Sequence, residues 1–166
     1  MYRAILTALA AGAFTPAAAC PGGAETVLSC LVGGSQRLEL CLSDTHASYL
    51  FGVPGEMAEL ALAEPIETIA HHPWMGVGRS IWESTTFRNG DYAYEVYISL
   101  DRLSEDHETE SGVIVWRGED EIAQLSCDPG TDVIGLWAVT DAKAAAGLCW
   151  QPEIEGWAGC RHPGED

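Results

Sequence analysis

Six cysteines behind a short apolar N-terminus constrain this chain more than any other feature: Cys20, Cys30, Cys41, Cys127, Cys149 and Cys160. An even count in an exported chain reads as a disulfide framework. Residues 1–19 carry the export reading. Arg3 supplies a positive n-region, AILTALAAGAF an apolar h-region, and Ala17 to Ala19 the small residues of a cleavage site. The apolar run is shorter than the roughly 20 residues that span a bilayer as a helix. No second run of that length follows. The expectation is a signal peptide over 1–19, no transmembrane segment, and a periplasmic or secreted location.

Cleavage after Ala19 makes Cys20 the first residue, the position that a bacterial lipoprotein acylates. A lipobox usually has Leu three residues before that cysteine, and Ala17 stands there instead. Lipidation would also strand one of the remaining cysteines, so parity favours a bridged Cys20. Six cysteines allow about 15 connectivities. One pair can be argued from spacing. In SCLVGGSQRLELC, a two-residue turn at Ser35-Gln36 sets Cys30 opposite Cys41, within disulfide range. Cys30 with Cys127, joining first strand to last, is the rival. Cys149 and Cys160 are close enough to clip the tail.

Charge narrows the partners. The chain has 25 acidic residues against 8 basic ones, a formal net charge of −17, and Lys143 is its only lysine. A basic patch for phosphates is absent, which excludes nucleic-acid binding. Attraction to an anionic membrane surface is excluded on the same ground. An acidic surface steers cationic partners, although it also serves solubility alone.

Period-two runs broken by turn signals dominate the chain. TVLSCLV and RLELCLS flank Gly33-Gly34, and Leu38, Leu40 and Leu42 alternate with Arg37, Glu39 and Cys41. ASYLFGV and MAELALAEP follow on either side of Pro54-Gly55. ETIAHHPWMGVGRS reads as a loop. Asn89-Gly90 marks the clearest hairpin; beyond it Tyr92, Tyr94, Val96, Ile98 and Leu100 share one face, and Ala93, Glu95, Tyr97 and Ser99 the other. DRLSEDHETES is a polar connection expected to be mobile. GVIVW and IAQLSC form a further hairpin around RGEDE. An Ala-rich helix is expected around 141–146, stopped by Gly147. The tail after it, rich in Pro and Gly, reads as irregular and held by Cys160. The fold expected is a mostly β, disulfide-bridged small antiparallel barrel or sandwich with a short C-terminal helix. Residues 20–130 form its β domain, and 131–166 a helix and tail packed on it.

Catalytic and metal motifs are missing. No His-Glu-x-x-His, paired Cys-x-x-Cys, EF-hand loop or Gly-x-Ser-x-Gly elbow occurs. His71 and His72 are adjacent, so on a strand they point to opposite faces and cannot readily share an ion; a solvated loop pair is the expectation. Asp128 and Asp132 read as turn residues rather than Ca²⁺ ligands. Carboxylates are too many for composition to single out a glycosidase pair. No cofactor and no metal is expected. Among six tryptophans, Trp74 stands apart, in a loop with Met75 and Arg79, the composition of a binding loop.

SGVIVWRGEDEIAQLSC is similar to the closing hairpin of the MliC-like inhibitors of c-type lysozyme, small exported β-barrels of Gram-negative bacteria. There the last strands carry an aromatic, a basic-Gly turn, an acidic residue and a cysteine. SCLVGG resembles that family's first strand. The resemblance implies an inhibitor of a cationic enzyme, with a basic side chain reaching its catalytic carboxylates. The family's loop, Ser-Gly-x-Arg/Lys-Tyr, is matched only at Arg79 of GVGRSIW. Gly76 and Val77 stand where Ser and Gly should, and Ser80 where Tyr should. The Asn-Gly hairpin and the segment after Cys127 have no counterpart.

The function expected is an exported, non-catalytic binding or inhibitor module of the bacterial cell envelope, with a cationic protein as partner. Trp74, Arg79 and Tyr97 are its candidate contact residues. The alternatives are a small secreted hydrolase using surface carboxylates, or a structural envelope protein.

Overall fold

The computed structural model describes residues 20–160; the signal-peptide reading over 1–19 lies outside them. Among these residues, twelve strands and one α-helix follow in chain order after a short 3-10 turn at Pro21–Gly23. β1 (Glu25–Val32), β2 (Gln36–Leu42), β3 (His46–Gly52) and β4 (Leu60–Pro65) form a meander. β5 (Ala70–His72), β6 (Ser80–Asn89), β7 (Tyr92–Asp101), β8 (Thr109–Arg117) and β9 (Asp120–Ser126) form a second one. β10 (Val133–Ile134) then returns to pair with β1, so the first sheet runs β10-β1-β2-β3-β4 and the second β5-β6-β7-β8-β9. Helix α1 (Ala138–Ala145) and a two-stranded hairpin, β11 (Leu148–Gln151) with β12 (Gly156–Gly159), complete the described chain.

The alternation read from the sequence places the core. Leu28, Leu38, Leu40 and Tyr49 of the first sheet meet Phe87, Val96, Ile98 and Val113 of the second, all buried in one apolar cluster. Tyr49 bridges the layers, with ring centroids 5.9 Å from Phe87 and 5.6 Å from Tyr94. Among the described residues no strand pairing joins the two sheets into a cylinder. Two antiparallel sheets sharing one core make the sandwich form of the expected fold. Val139 of α1 enters the same cluster.

The first hairpin differs from its expected register. Its loop is Gly33, Gly34 and Ser35, and Val32 pairs with Gln36. Gly33 and Gly34 take φ of 59° and 73°, and their N–H groups donate to the Asp128 carboxylate at 3.2 and 2.7 Å. An anion-accepting glycine pair therefore fixes the turn earlier than spacing alone indicates, and the residue opposite Cys30 moves three places, from Cys41 to Leu38. Cys30 now faces Leu38, whereas Cys41 faces Thr26. An odd change of register sends the two sulfurs to opposite faces, so the expected Cys30–Cys41 bridge does not form. Cys30 instead bonds Cys127, and Cys41 bonds Cys20. Cys20 is thus a bridged residue, as parity favours. Cys149 bonds Cys160, and no described cysteine is free.

Three other expectations shift. The second hairpin turns at Gly90-Asp91 rather than Asn89-Gly90, with Gly90 at φ 60° in the first central position, the pattern of a II′ turn. The stretch around His71 is not all loop, because Ala70–His72 pair with β6 as an edge strand. The tail is not irregular: Cys149–Cys160 closes the β11–β12 hairpin, and the Cys160 N–H bonds the Gly147 carbonyl at 3.1 Å. The helix stops as expected, with Gly147 at φ 81°. No helix among the described residues is long and apolar enough to cross a membrane.

Candidate functional site

The short edge strand β5 sorts its two histidines to opposite sides. His71 turns inward and is 5% exposed, which corrects the expectation of a solvated pair. Its Nδ1 lies 3.0 Å from Thr85 Oγ1 and its Nε2 2.9 Å from Thr140 Oγ1. Burial pushes the imidazole down from 6.5 to about 3, and the Lys143 ammonium acts in the same direction. His71 is therefore a neutral structural link between β6 and α1.

Glu83 lies beside it on the core side of β6. Its carboxylate accepts the Trp137 backbone N–H at 2.8 Å and the Thr140 hydroxyl at 3.0 Å. Trp137 is the residue before α1, at φ 66°, and makes no side-chain cap of its own. Glu83 thus caps the helix from another sheet, where a carboxylate also suits the positive end of the helix dipole. Burial raises its pKa, and the two hydrogen bonds oppose that rise. With these donors and acceptors engaged among themselves, the His71–Glu83 pair reads as scaffold.

His72 turns outward and begins an aromatic surface. Its ring stacks on Trp82 with centroids 4.8 Å apart, and Trp150 tilts against it at 5.0 Å. The β11–β12 hairpin delivers Trp150 and Trp157, which are cross-strand partners 5.8 Å apart. The Trp157 indole N–H donates to the His71 carbonyl at 2.8 Å, docking the hairpin on the β5 edge. Lys143 reaches the same place from α1. Its ammonium donates to the Ile66 carbonyl at 2.8 Å and sits 5.4 Å from the Trp157 ring centre. Burial lowers its pKa, and Glu67 works against that.

Between hairpin and sheet lies an open cleft of about 460 Å³. Register gives it two ends. His72 faces Ser84 and Trp82 lies one step beyond, so the aromatic residues occupy one end. Ala70 faces Thr86, which faces Glu95, so a carboxylate occupies the other. Glu67 and Glu155 also line the cleft. The span from Trp82 to Thr86 is about 13 Å at roughly 3.3 Å per strand residue. One Glu95 oxygen accepts the Trp116 indole N–H at 2.9 Å. The arrangement can stack a flat or aliphatic group and hold a hydrogen-bond donor or a cation.

Of the residues singled out from sequence, Trp74 and Arg79 come together at one end of the second sheet. The Trp74 indole N–H donates to the Val77 carbonyl at 2.9 Å, and the Arg102 guanidinium lies 5.2 Å from its ring centre. Arg79 grips Asp101 through Nε and Nη2, both at 2.6 Å. That pairing holds the Asp101 carboxyl below its ordinary range and the guanidinium above its own. Asp101 also accepts the Leu103 and Ser104 N–H groups, so the polar connection expected to be mobile opens in a hydrogen-bonded turn. Tyr97 stands elsewhere, on the outer face of β7 over Gly112, its hydroxyl 3.4 Å from Ser126 Oγ and from Gln124 Nε2. Asp128 is a turn residue, and Asp132 accepts the Thr109 hydroxyl at 2.7 Å.

Sequence reading missed Glu83, His72, Trp150 and Trp157. The signal for Glu83 was available, since it shares a β6 face with Thr85 and Phe87, and an acid on a core face requires a partner. The two hairpin tryptophans carried none, because nothing local says which sheet edge a tail docks on. No protein-family model, curated protein or solved structure matches this chain.

Proposed function

We propose that this chain is an exported, non-catalytic binding module that acts in the bacterial envelope or outside the cell and takes a cationic protein as partner. The open cleft walled by the exposed Trp82 and the half-buried Trp150, Trp157 and His72 carries this reading, since accessible aromatic rings on a fixed scaffold are the chemistry of recognition. Three disulfides fit an oxidising compartment and hold that scaffold. The Trp74–Arg79 loop leads directly out of β5, and its guanidinium is exposed. If the partner is a c-type lysozyme, Arg79 must exchange Asp101 for an acid of the enzyme.

Titration of c-type lysozyme into the oxidised chain tests the proposal. Binding that weakens at higher salt is expected. Arg79→Ala should lower the affinity about tenfold or more, in line with a charged hot-spot residue, while Tm stays within about 2 °C because the Arg79–Asp101 pair is exposed. No binding, or binding indifferent to both salt and Arg79, overturns the lysozyme-inhibitor form of the reading. Three carboxylates on one cleft favour the hydrolase as second reading; turnover of an oligosaccharide that is abolished by Glu95→Gln would replace the first reading with it.

A further inference from the structure

We infer that the cleft beside β5 receives a basic side chain, arginine or lysine, displayed by the partner protein; this rests on the binding reading above and assigns its ligand. The cleft already holds one cation in this manner. Lys143 places its ammonium over the Trp157 ring, with Glu67 close enough to act on its charge. A second set of similar parts stands open beside it. Trp82 is covered on one face by His72 and remains 40% exposed. Glu95 commits one oxygen to Trp116, and Glu155 lines the cleft from the β11–β12 turn.

Charge selects the ligand. The lining carries Glu67, Glu95 and Glu155 against Lys143 alone, on a molecule whose formal net charge is −17. An anionic ligand is repelled over the whole approach, and a neutral one gains hydrogen bonds but no charge attraction from the carboxylates. A guanidinium or ammonium gains from both ends. Its charge meets Glu95 and Glu155, while its aliphatic stem and the flanking peptide lie along the Trp82 shelf. The span of about 13 Å between those ends accommodates an extended arginine with one neighbouring residue.

Indole N–H signals in the NMR spectrum of the oxidised, ¹⁵N-labelled chain test the inference. The probes are N-acetyl-arginine amide, N-acetyl-glutamate amide and chitotriose, each at about 10 mM, a concentration that reveals weak binding. The arginine probe should shift the Trp82 and Trp150 signals and leave Trp74 in place. Glu95→Gln and, separately, Glu155→Gln should each weaken that response about threefold or more. Both glutamates lie outside the core, and unchanged spectra elsewhere confirm folding. Failure of the arginine probe to shift Trp82 and Trp150, or equal shifts with the acidic probe or the sugar, overturns the inference. Lysozyme binding through Arg79 with a silent cleft would also overturn it, leaving the protein a binding module that acts through the Arg79 loop and not the cleft. A cleft that responds without lysozyme binding supports the inference and removes only lysozyme as partner.

Discussion

Glu83 and His71 show how two polar residues on a core face become structural. Each of Glu83's carboxylate oxygens has a donor, one of them the N–H at the start of α1. Glu83→Ala leaves that N–H without its acceptor and the Thr140 hydroxyl with His71 alone, in a part-buried place. A loss of about 1–3 kcal/mol is expected, measured by urea unfolding at neutral pH. The two residues act oppositely with pH. The His71 pKa is about 3 folded against 6.5 as an ordinary side chain, so between those values the unfolded chain binds more protons. Its contribution to stability is therefore full above pH 6.5 and is lost as pH falls toward 3. Glu83, raised by burial, gives stability the contrary slope above its ordinary 4.5. Urea midpoints for His71→Gln should fall less steeply from pH 6.5 toward 3 than those of the parent. An equal slope would mean that His71 does not remain neutral in the folded chain.

At the scale of elements, the β11–β12 hairpin is the critical piece, because it supplies two of the cleft's tryptophans and touches the sheet edge through few groups. The Trp157 indole on the His71 carbonyl and the Cys149–Cys160 bridge fix it. A two-stranded hairpin is marginal alone in water. Replacing Cys149 and Cys160 with Ser should release it locally. Hydrogen exchange at the Trp157 indole should then accelerate at least tenfold, while the amides of β7 and β8 keep their protection. Helix α1 behaves differently. It spans Ala138–Ala145, and its position comes from Glu83, Val139 in the core and Lys143 on the Ile66 carbonyl. Its Ala-rich composition was readable in advance, whereas its start lies before the expected 141 because the cap is provided by a distant strand.

The whole molecule is held by bridges of very different span. Cys30–Cys127 joins residues 97 apart, and Cys149–Cys160 joins residues 11 apart. The loop-closure relation makes the longer bridge worth about 2 kcal/mol more. Urea unfolding of the Cys30→Ser/Cys127→Ser and Cys149→Ser/Cys160→Ser chains should show that order, and a peptide map of the oxidised protein should recover Cys20 joined to Cys41. The sequence by itself determined the local matters: period-two strands, the presence of turns near the glycines though not their exact positions, the helix stop, the even cysteine count and the acidic charge. These depend on neighbours along the chain, where alternation and backbone preference act. It left open the pairing of cysteines, the docking of the tail and the making of the cleft. A three-residue change of register at Gly33-Gly34 sends Cys30 and Cys41 to opposite faces, and that turn is held by Asp128, far away in the chain. The aromatic surface likewise joins His72, Trp82, Trp150 and Trp157, which only the packing of β5, β6 and the hairpin brings within ring contact. Tertiary structure decided these because each depends on groups distant in sequence, whose meeting no local preference encodes.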